Sequence, residues 1–369
     1  MHISYLDSAS TTKTSQRVLD TMLPYFTELY GNASSSHKFG EIVKEAVDKA
    51  RMQVASIIGA ESSEIIFTSG ATESVNLALK GFVDANYDKG NHIITVKTEH
   101  KAALETCSYL EERGFEVTYL NASKDGTISL QELKDSIRPE TLLISVMYVN
   151  NETGVIQEIS KIGEIARQNN IAFFCDATQA VGKISVDVDR DNIDMLCFSG
   201  HKISGPKGVG VLYKKRGIQL TPLIHGGGQE GGLRAGTYNS PAIVGIGKAC
   251  EIAEAENSNN SEELRNINEY ILQKLMDIEG VQIVGNKDSR VSNILNVIVP
   301  GLDSNLFIAR NNEFAVSNGS ACNSNLVQVS HVLKAMGFTD KECESSVRIS
   351  FDYNSKIEQI DQVVKILKE

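Results

Sequence analysis

Between residues 64 and about 200 the chain alternates short apolar runs with segments of helical spacing, at the interval of a βαβ unit. "EIIFTSG" (64–70) reads as a strand that stops at Ser-Gly, and "ATESVNLALKGFV" reads as the helix after it. "HIITVKT" (92–98) and the helical "KAALETCSYLEERG" repeat the unit, ending at Gly114. "FEVTYL" (115–120) alternates with period two, and Ser129 and Glu132 have capping-box spacing before a short helix. "TLLISVMYV" (141–149), "EISKIGEIARQNN" (158–170) and "IAFFCDA" (171–177) continue as strand, helix, strand. "IDMLCFS" (193–199) and "GVGVLYKK" (208–215) close the series as strands. Such a chain has few choices: a mostly parallel sheet covered by helices on both faces.

Elsewhere the pattern differs. Residues 41–58 place apolar side chains at 42, 46, 50 and 54, a helical period. Residues 250–280 read as helical and rich in Glu and Asn. "VQIVG", "NILNVIVPG", "FAVSNGS" and "VRISFDY" follow, then the amphipathic "SKIEQIDQVVKILKE", which together read as a smaller α+β unit.

Composition removes several function classes. A net charge of −11 and a pI near 5.3 argue against a surface devoted to nucleic-acid phosphates. The run Lys214-Lys215-Arg216 reads as a solvated turn. No segment reaches transmembrane length, and "MHISYLDSASTTK" lacks the basic-then-apolar order of a secretory signal. Six cysteines are scattered without C-x-x-C pairs or zinc spacing, so no metal site is expected and a reducing, cytoplasmic setting is. Cys107, Cys175, Cys197 and Cys250 lie in apolar segments and read as core. Cys322 differs: "VSNGSACNSNL" (316–326) sets it among small polar residues, where an accessible thiol suits a nucleophile.

In open parallel sheets, ligands collect at the carboxyl ends of the strands. "TSGATE" (68–73) falls there, either as a phosphate-holding turn at a helix N-terminus or as a plain βα turn. Asp176 ends an apolar strand, where a carboxylate needs a partner: an arginine, a turn, or the protonated nitrogen of a pyridine cofactor. Lys202 in "CFSGHKISGPKGVG" (197–210) is an exposed lysine or a Schiff-base lysine. His100 opens a helix as a cap or as a catalyst.

The order of these elements resembles the cysteine desulfurases, class-V aminotransferase-like enzymes of pyridoxal-phosphate fold type I. "YLDSASTT", "GNASSSH", "FTSGATESVNLALKG", "TEHKAALETC", "VNNETGVIQ", "CDATQAVGK", "FSGHKISGPKGVG", "GGGQEGGLRAGT", "SNGSACNS", "SHVLKAMG" and "SVRISF" resemble that family's motifs in sequence, along nearly the whole chain. The resemblance implies pyridoxal 5′-phosphate as cofactor. It implies a large cofactor-binding α/β domain over 14–249 and a small α+β domain from 1–13 and 250–369. Ala71 and Thr72 would lie at the phosphate, with Ser199 and His201 adding donors. Asp176 would hold the ring nitrogen, Gln179 the ring hydroxyl, and His100 would stack on the ring. Lys202 would carry the cofactor as a Schiff base and later act as the base. Asn151 would serve both cofactor and substrate, and Arg348, with Asn32 nearby, would grip the substrate carboxylate. Thr237 would reach the phosphate of a second subunit, which implies a homodimer. Cys322 would take sulfur from L-cysteine as a persulfide, releasing L-alanine.

Three positions depart from the family pattern. Ala33 stands where a proline is common, "DSASTT" replaces "D-x-A-A-T-T", and the chain ends at Glu369 where housekeeping members continue into a segment that docks an iron–sulfur scaffold. The implied acceptor is a protein, left open among iron–sulfur assembly, tRNA thiolation and DNA sulfur modification. The rival readings are a selenocysteine lyase or aminotransferase on the same fold, for which Cys322 is superfluous in the aminotransferase case, and a non-catalytic sulfur-relay or scaffold protein.

Overall fold

The computed structural model describes residues 3–318, 329–353 and 355–368, and of the side chains in these ranges all but those of 257–260. In chain order its strands are β1 (Ser4–Tyr5), β2 (Ile65–Thr68), β3 (His92–Val96), β4 (Glu116–Leu120), β5 (Thr141–Ser145) and β6 (Ala172–Asp176). They continue as β7 (Met195–Ser199), β8 (Gly210–Lys214), β9 (Gln282–Ile283), β10 (Ile294–Ile298), β11 (Phe314–Ala315) and β12 (Ser346–Ser350).

Seven strands form the main sheet in the order β2-β8-β7-β6-β5-β3-β4. β8 runs antiparallel to both neighbours, and the other contacts are parallel. Six strands therefore point one way, and their carboxyl ends share one edge. The inner strands β3, β5 and β7 are buried at every residue, which is why they read as continuous apolar runs rather than alternating ones. β4, at the sheet's edge, is exposed at its first residue and buried at its last. β8 returns past the β2 turn with no room to spare: a Cβ on Gly210 would stand 2.5 Å from the Gly70 backbone. Glycine is required there by contact, not by conformation.

The helices Ala71–Ala85 and Lys101–Glu111 pack on one face of this sheet, with Leu79, Val83, Cys107 and Leu110 against Ile93 and Leu143. Lys38–Ile57 and Ile159–Gln168 cover the other through Val43, Val47, Val54, Ile162 and Ile165. The two-sided layering expected from the alternation is present. The strand expected over 141–149 is shorter, because the chain turns at the site edge from Val146 onward. The capping box at Ser129 is half-formed. Ser129 accepts from the Glu132 amide, while the Glu132 carboxylate accepts from Asn121 instead.

The helix read from residue 250 begins at Asn239, whose side chain caps Ser240–Leu275. Its first turns pack on the main core through Ala242, Ile243, Ile246 and Cys250. Its last turns enter a second core through Ile267, Ile271 and Leu275, with Leu6, Val297, Val347 and Val364. There β10 lies antiparallel between β12 and β9, and β1 pairs with β11 in parallel. The amino-terminal strand is thus sewn into structure made by the last third of the chain. Burying apolar side chains at about 25 cal/mol per Å² is what holds both cores together.

Candidate active site

The loops at the common carboxyl edge enclose a cavity of about 540 Å³. Ala71, Thr72, His100, Asn151, Asp176, Gln179, Ser199, His201, Lys202 and Arg348 all line it. Ten positions spread over 278 residues thus meet around one space, with Ser10 and Thr11 as further walls.

Ala71–Ala85 begins at Gly70 with no side-chain cap, so its first amides are left to the cavity. Its first turn is fixed from outside: Glu73 accepts from the Ser69 amide at 2.8 Å and from Arg234 Nε at 2.9 Å. Burial would raise the Glu73 carboxyl, yet the Arg234 and Ser69 bonds hold it below its ordinary value. Ser199 ends β7, and His201 follows in a short 3-10 turn. His201 Nδ1 stands 3.1 Å from Thr11 Oγ1. Burial and the cations Lys202, Lys207 and Lys183 push His201 down to about 4, so its ring is neutral at neutral pH.

Asp176 is buried at the end of β6, and its Oδ1 accepts from the Thr178 amide at 2.9 Å. Glu99 lies buried nearby and accepts from the Met147 amide at 2.5 Å. Burial, and after it the neighbouring Asp176 carboxylate, push the Glu99 carboxyl well up, so Glu99 keeps its proton. His100 Nδ1 accepts from the Ala102 amide at 3.1 Å, which leaves the ring proton on Nε2. Burial, opposed by Asp176 and helped by Lys202 and Lys101, holds His100 below its usual value.

Lys202 enters from the 3-10 turn, and its Nζ donates to the carbonyls of Ala9 at 2.6 Å and Ser10 at 2.5 Å. Gln179 Nε2 donates to the same Ala9 carbonyl at 2.8 Å. Arg348, in β12, is 3% exposed. It donates to Asn151 O at 3.0 Å and to the Asp7 carboxylate at 2.7 Å, and its buried Nε–H has no partner among the described residues. That spare donor is what an incoming carboxylate would find.

Two predicted positions stand apart. Asn32 is exposed outside the cavity, its Oδ1 accepting from the Ser34 amide, and its neighbours Ala33 and Ser34 line a separate pocket. A substrate contact from Asn32 is therefore not made within this chain. Thr237 is exposed and lines an adjoining pocket, which shares Ser69 and Gly208 with the cavity. Cys322 lies outside the described residues. The chain on either side of it is anchored at the site: Ser317 and Arg348 exchange backbone bonds at 3.2 and 2.6 Å, and His331 Nε2 meets Glu99 O at 3.0 Å. Ser330 donates to the buried Glu152 carboxylate. The other five cysteines are buried free thiols, and burial pushes Cys107 up to about 12 and Cys343 up to about 11. They are inert packing groups. Asp7, Glu99, Glu152 and the Arg234–Glu73 pair escape the motif reading, because their partners are distant in sequence, and Lys183 escapes it although its partner Gln179 is only four residues away.

The sequence profile of the class-V aminotransferases matches residues 4–363, and the chain belongs to that family. Within it, the chain is 47% identical over 367 residues to "Cysteine desulfurase IscS" of Neisseria meningitidis, covering 99% of this chain and 91% of that one. A solved "NifS-like protein" superimposes with a TM-score of 0.93 at 36% identity, covering 99% and 98% of the two chains. A structure titled "SspA in complex with cysteine" matches with a TM-score of 0.86 at 40% identity, covering 95% and 99%. The cofactor is pyridoxal 5′-phosphate, and the cavity fits it. An uncapped helix start suits a phosphate, a buried carboxylate suits a pyridinium nitrogen, and a lysine reaches in between. Among the described residues no helix is long and apolar enough to cross a membrane.

Proposed function

We infer that the protein is a cysteine desulfurase, which converts L-cysteine to L-alanine and keeps the sulfur as a persulfide on Cys322. The observation that carries this reading is the meeting of Lys202, Asp176, His100 and Arg348 around one cavity. Bound pyridoxal phosphate supplies an electron-withdrawing ring that makes the substrate's α-proton removable. Ala71, Thr72, Ser199 and His201 hold its phosphate, Asp176 its ring nitrogen and Gln179 its ring hydroxyl. The neutral His100 ring covers its face. Asn151 and the fork of Arg348 orient the substrate carboxylate. Lys202, the lysine that would hold the cofactor, would also be the base for the α-proton. The Cys322 thiolate then attacks the substrate sulfur: an S–S bond forms, the carbon–sulfur bond breaks, and its electron pair leaves with the carbon that becomes the alanine methyl. The persulfide passes to an acceptor protein of iron–sulfur assembly, tRNA thiolation or DNA sulfur modification.

The same reading divides the chain into a cofactor-holding unit, 14–249, and a unit of 1–13 and 250–369 that carries the sulfur-accepting segment. Thr237, exposed beside Ser69, is given to the phosphate of a second copy in a homodimer. Light scattering of an active species at monomer mass would contradict the dimer. Five buried thiols without disulfides suit a reducing cytoplasm. Borohydride reduction of the holoenzyme followed by peptide mapping tests the assignment at the cofactor. The cofactor is expected on Lys202, and its recovery on another lysine overturns the reading.

A further inference from the structure

Behind the Lys202 anchor lies a second lysine, the last residue of "CDATQAVGK", to which the sequence reading gives no role. Lys183 is four residues past Gln179 and donates to Gln179 Oε1. Gln179 Nε2 in turn donates to Ala9 O, the carbonyl that also accepts from Lys202. Lys183 is half-buried and lines a small cavity of about 60 Å³ together with Lys202, Asp352 and Tyr353. Burial, with the cations Lys202 and Arg348, lowers Lys183 to about 7. Protonated or neutral, an amine still has an N–H to give, so its bond to Gln179 survives the titration.

A glutamine amide has two chemically opposite ends. A donor lodged on Oε1 decides which one the site sees, since turning the amide over would set –NH₂ against the Lys183 amine. We propose that Lys183 is a positioning residue: it locks the Gln179 side chain so that Nε2, not Oε1, is presented to the ring hydroxyl of the cofactor. The inference rests on the reading that Gln179 faces that hydroxyl. Without Lys183 the amide keeps only its Nε2 bond to the Ala9 carbonyl, and its Oε1 end is no longer held. The ring oxygen then keeps more of its negative charge, and the proton on the cofactor-linked Lys202 nitrogen is held more tightly.

The readout is the pH midpoint of the bound cofactor's visible absorption band, with no substrate present. Lys183→Met, an apolar replacement of similar length, is expected to raise the midpoint by about 0.4–1 pH unit, the value of one net hydrogen bond. Gln179→Ala is expected to raise it equally. Loss of the Lys183 charge alone would also raise the midpoint, so the double variant decides: acting through Gln179, Lys183→Met adds nothing in the Gln179→Ala background. Lys183→Gln, which keeps an N–H on the arm, is expected to fall between wild type and Lys183→Met, and it replaces Lys183→Met if that variant fails to fold. Additive shifts, or a Lys183 variant with the wild-type midpoint while Gln179→Ala is shifted, overturn the proposal alone. A Gln179→Ala midpoint equal to wild type overturns it together with the Gln179 assignment.

Discussion

The two walls of the cavity are built by different means. One wall consists of strand ends of the main sheet: the turn at Ala71–Thr72, His100, Asp176–Gln179 and Ser199–Lys202. Each group sits at the end of, or just after, a strand of the main sheet. Burial keeps the Glu99 carboxyl protonated, and burial with the local cations keeps His201 neutral. The opposite wall is assembled from the two ends of the chain. Arg348 in β12 pairs with Asp7, 341 residues away, and the backbone at Ser317 pairs with that at Arg348. The first wall is rigid scaffold with local chemistry. The second is the side to which the proposed function gives the substrate carboxylate and the Cys322 segment. The difference teaches that cofactor binding and sulfur acceptance belong to separable parts of one site, and each prediction below pulls on one part.

The largest effect is expected from Cys322→Ser. Serine is a poor nucleophile toward sulfur and cannot hold a persulfide, so alanine formation from cysteine should fall by roughly 10³-fold or more. The cofactor spectrum should be untouched, because the first wall is intact. A variant that loses its cofactor would erase the distinction between the walls; alanine assay and absorption spectra on one sample decide it.

Next comes Arg348→Ala. It removes a charge-assisted fork and leaves the Asp7 carboxylate without its cation, which should cost about 2–5 kcal/mol in cysteine binding. Titration of the holoenzyme with cysteine reads the loss, and an unchanged apparent affinity would show that another group holds the carboxylate.

The smallest concerns Glu152, which sits where the walls join and accepts from Ser330. Burial pushes its carboxyl up to about 7 from the ordinary value of 4.5. The folded state therefore keeps a proton that the unfolded chain gives up. Stability contributed by this group is whole below about pH 4.5 and declines as pH rises, the loss being complete above about pH 7. Glu152→Gln keeps an acceptor for Ser330 and removes the titration. Relative to its difference from wild type at pH 4, it should gain up to about 3 kcal/mol at pH 8 in denaturant unfolding. Parallel pH profiles for the two proteins would refute the shift.

The same contrast explains what could be read from the sequence. The sheet and the first wall were legible, because strand, turn and helix start are contiguous: "FTSGATE", "TEH", "CDATQ" and "FSGHK" each carry both an element boundary and a functional side chain. The family resemblance, not periodicity, attached roles to them. The Arg348–Asp7 pair and the Glu152–Ser330 contact were not legible, since each depends on which segments the fold brings together; the Lys183–Gln179 bond is local, but nothing in the sequence shows that the lysine turns onto the glutamine. The start of the Ser240–Leu275 helix was missed for another reason. Residues 240–250, "SPAIVGIGKAC", are buried largely all round, so the polar face that marks an amphipathic helix is lacking there.

The central claim is that the second wall's cysteine, and no other, receives the sulfur. One turnover of the holoenzyme with cysteine, without acceptor or reductant, followed by peptide mass spectrometry, tests it directly. The account predicts the added mass of one sulfur atom on the peptide containing Cys322 and on no peptide containing Cys107, Cys175, Cys197, Cys250 or Cys343. Stoichiometric alanine with the Cys322 peptide unmodified, or the added sulfur on any other cysteine, would contradict it.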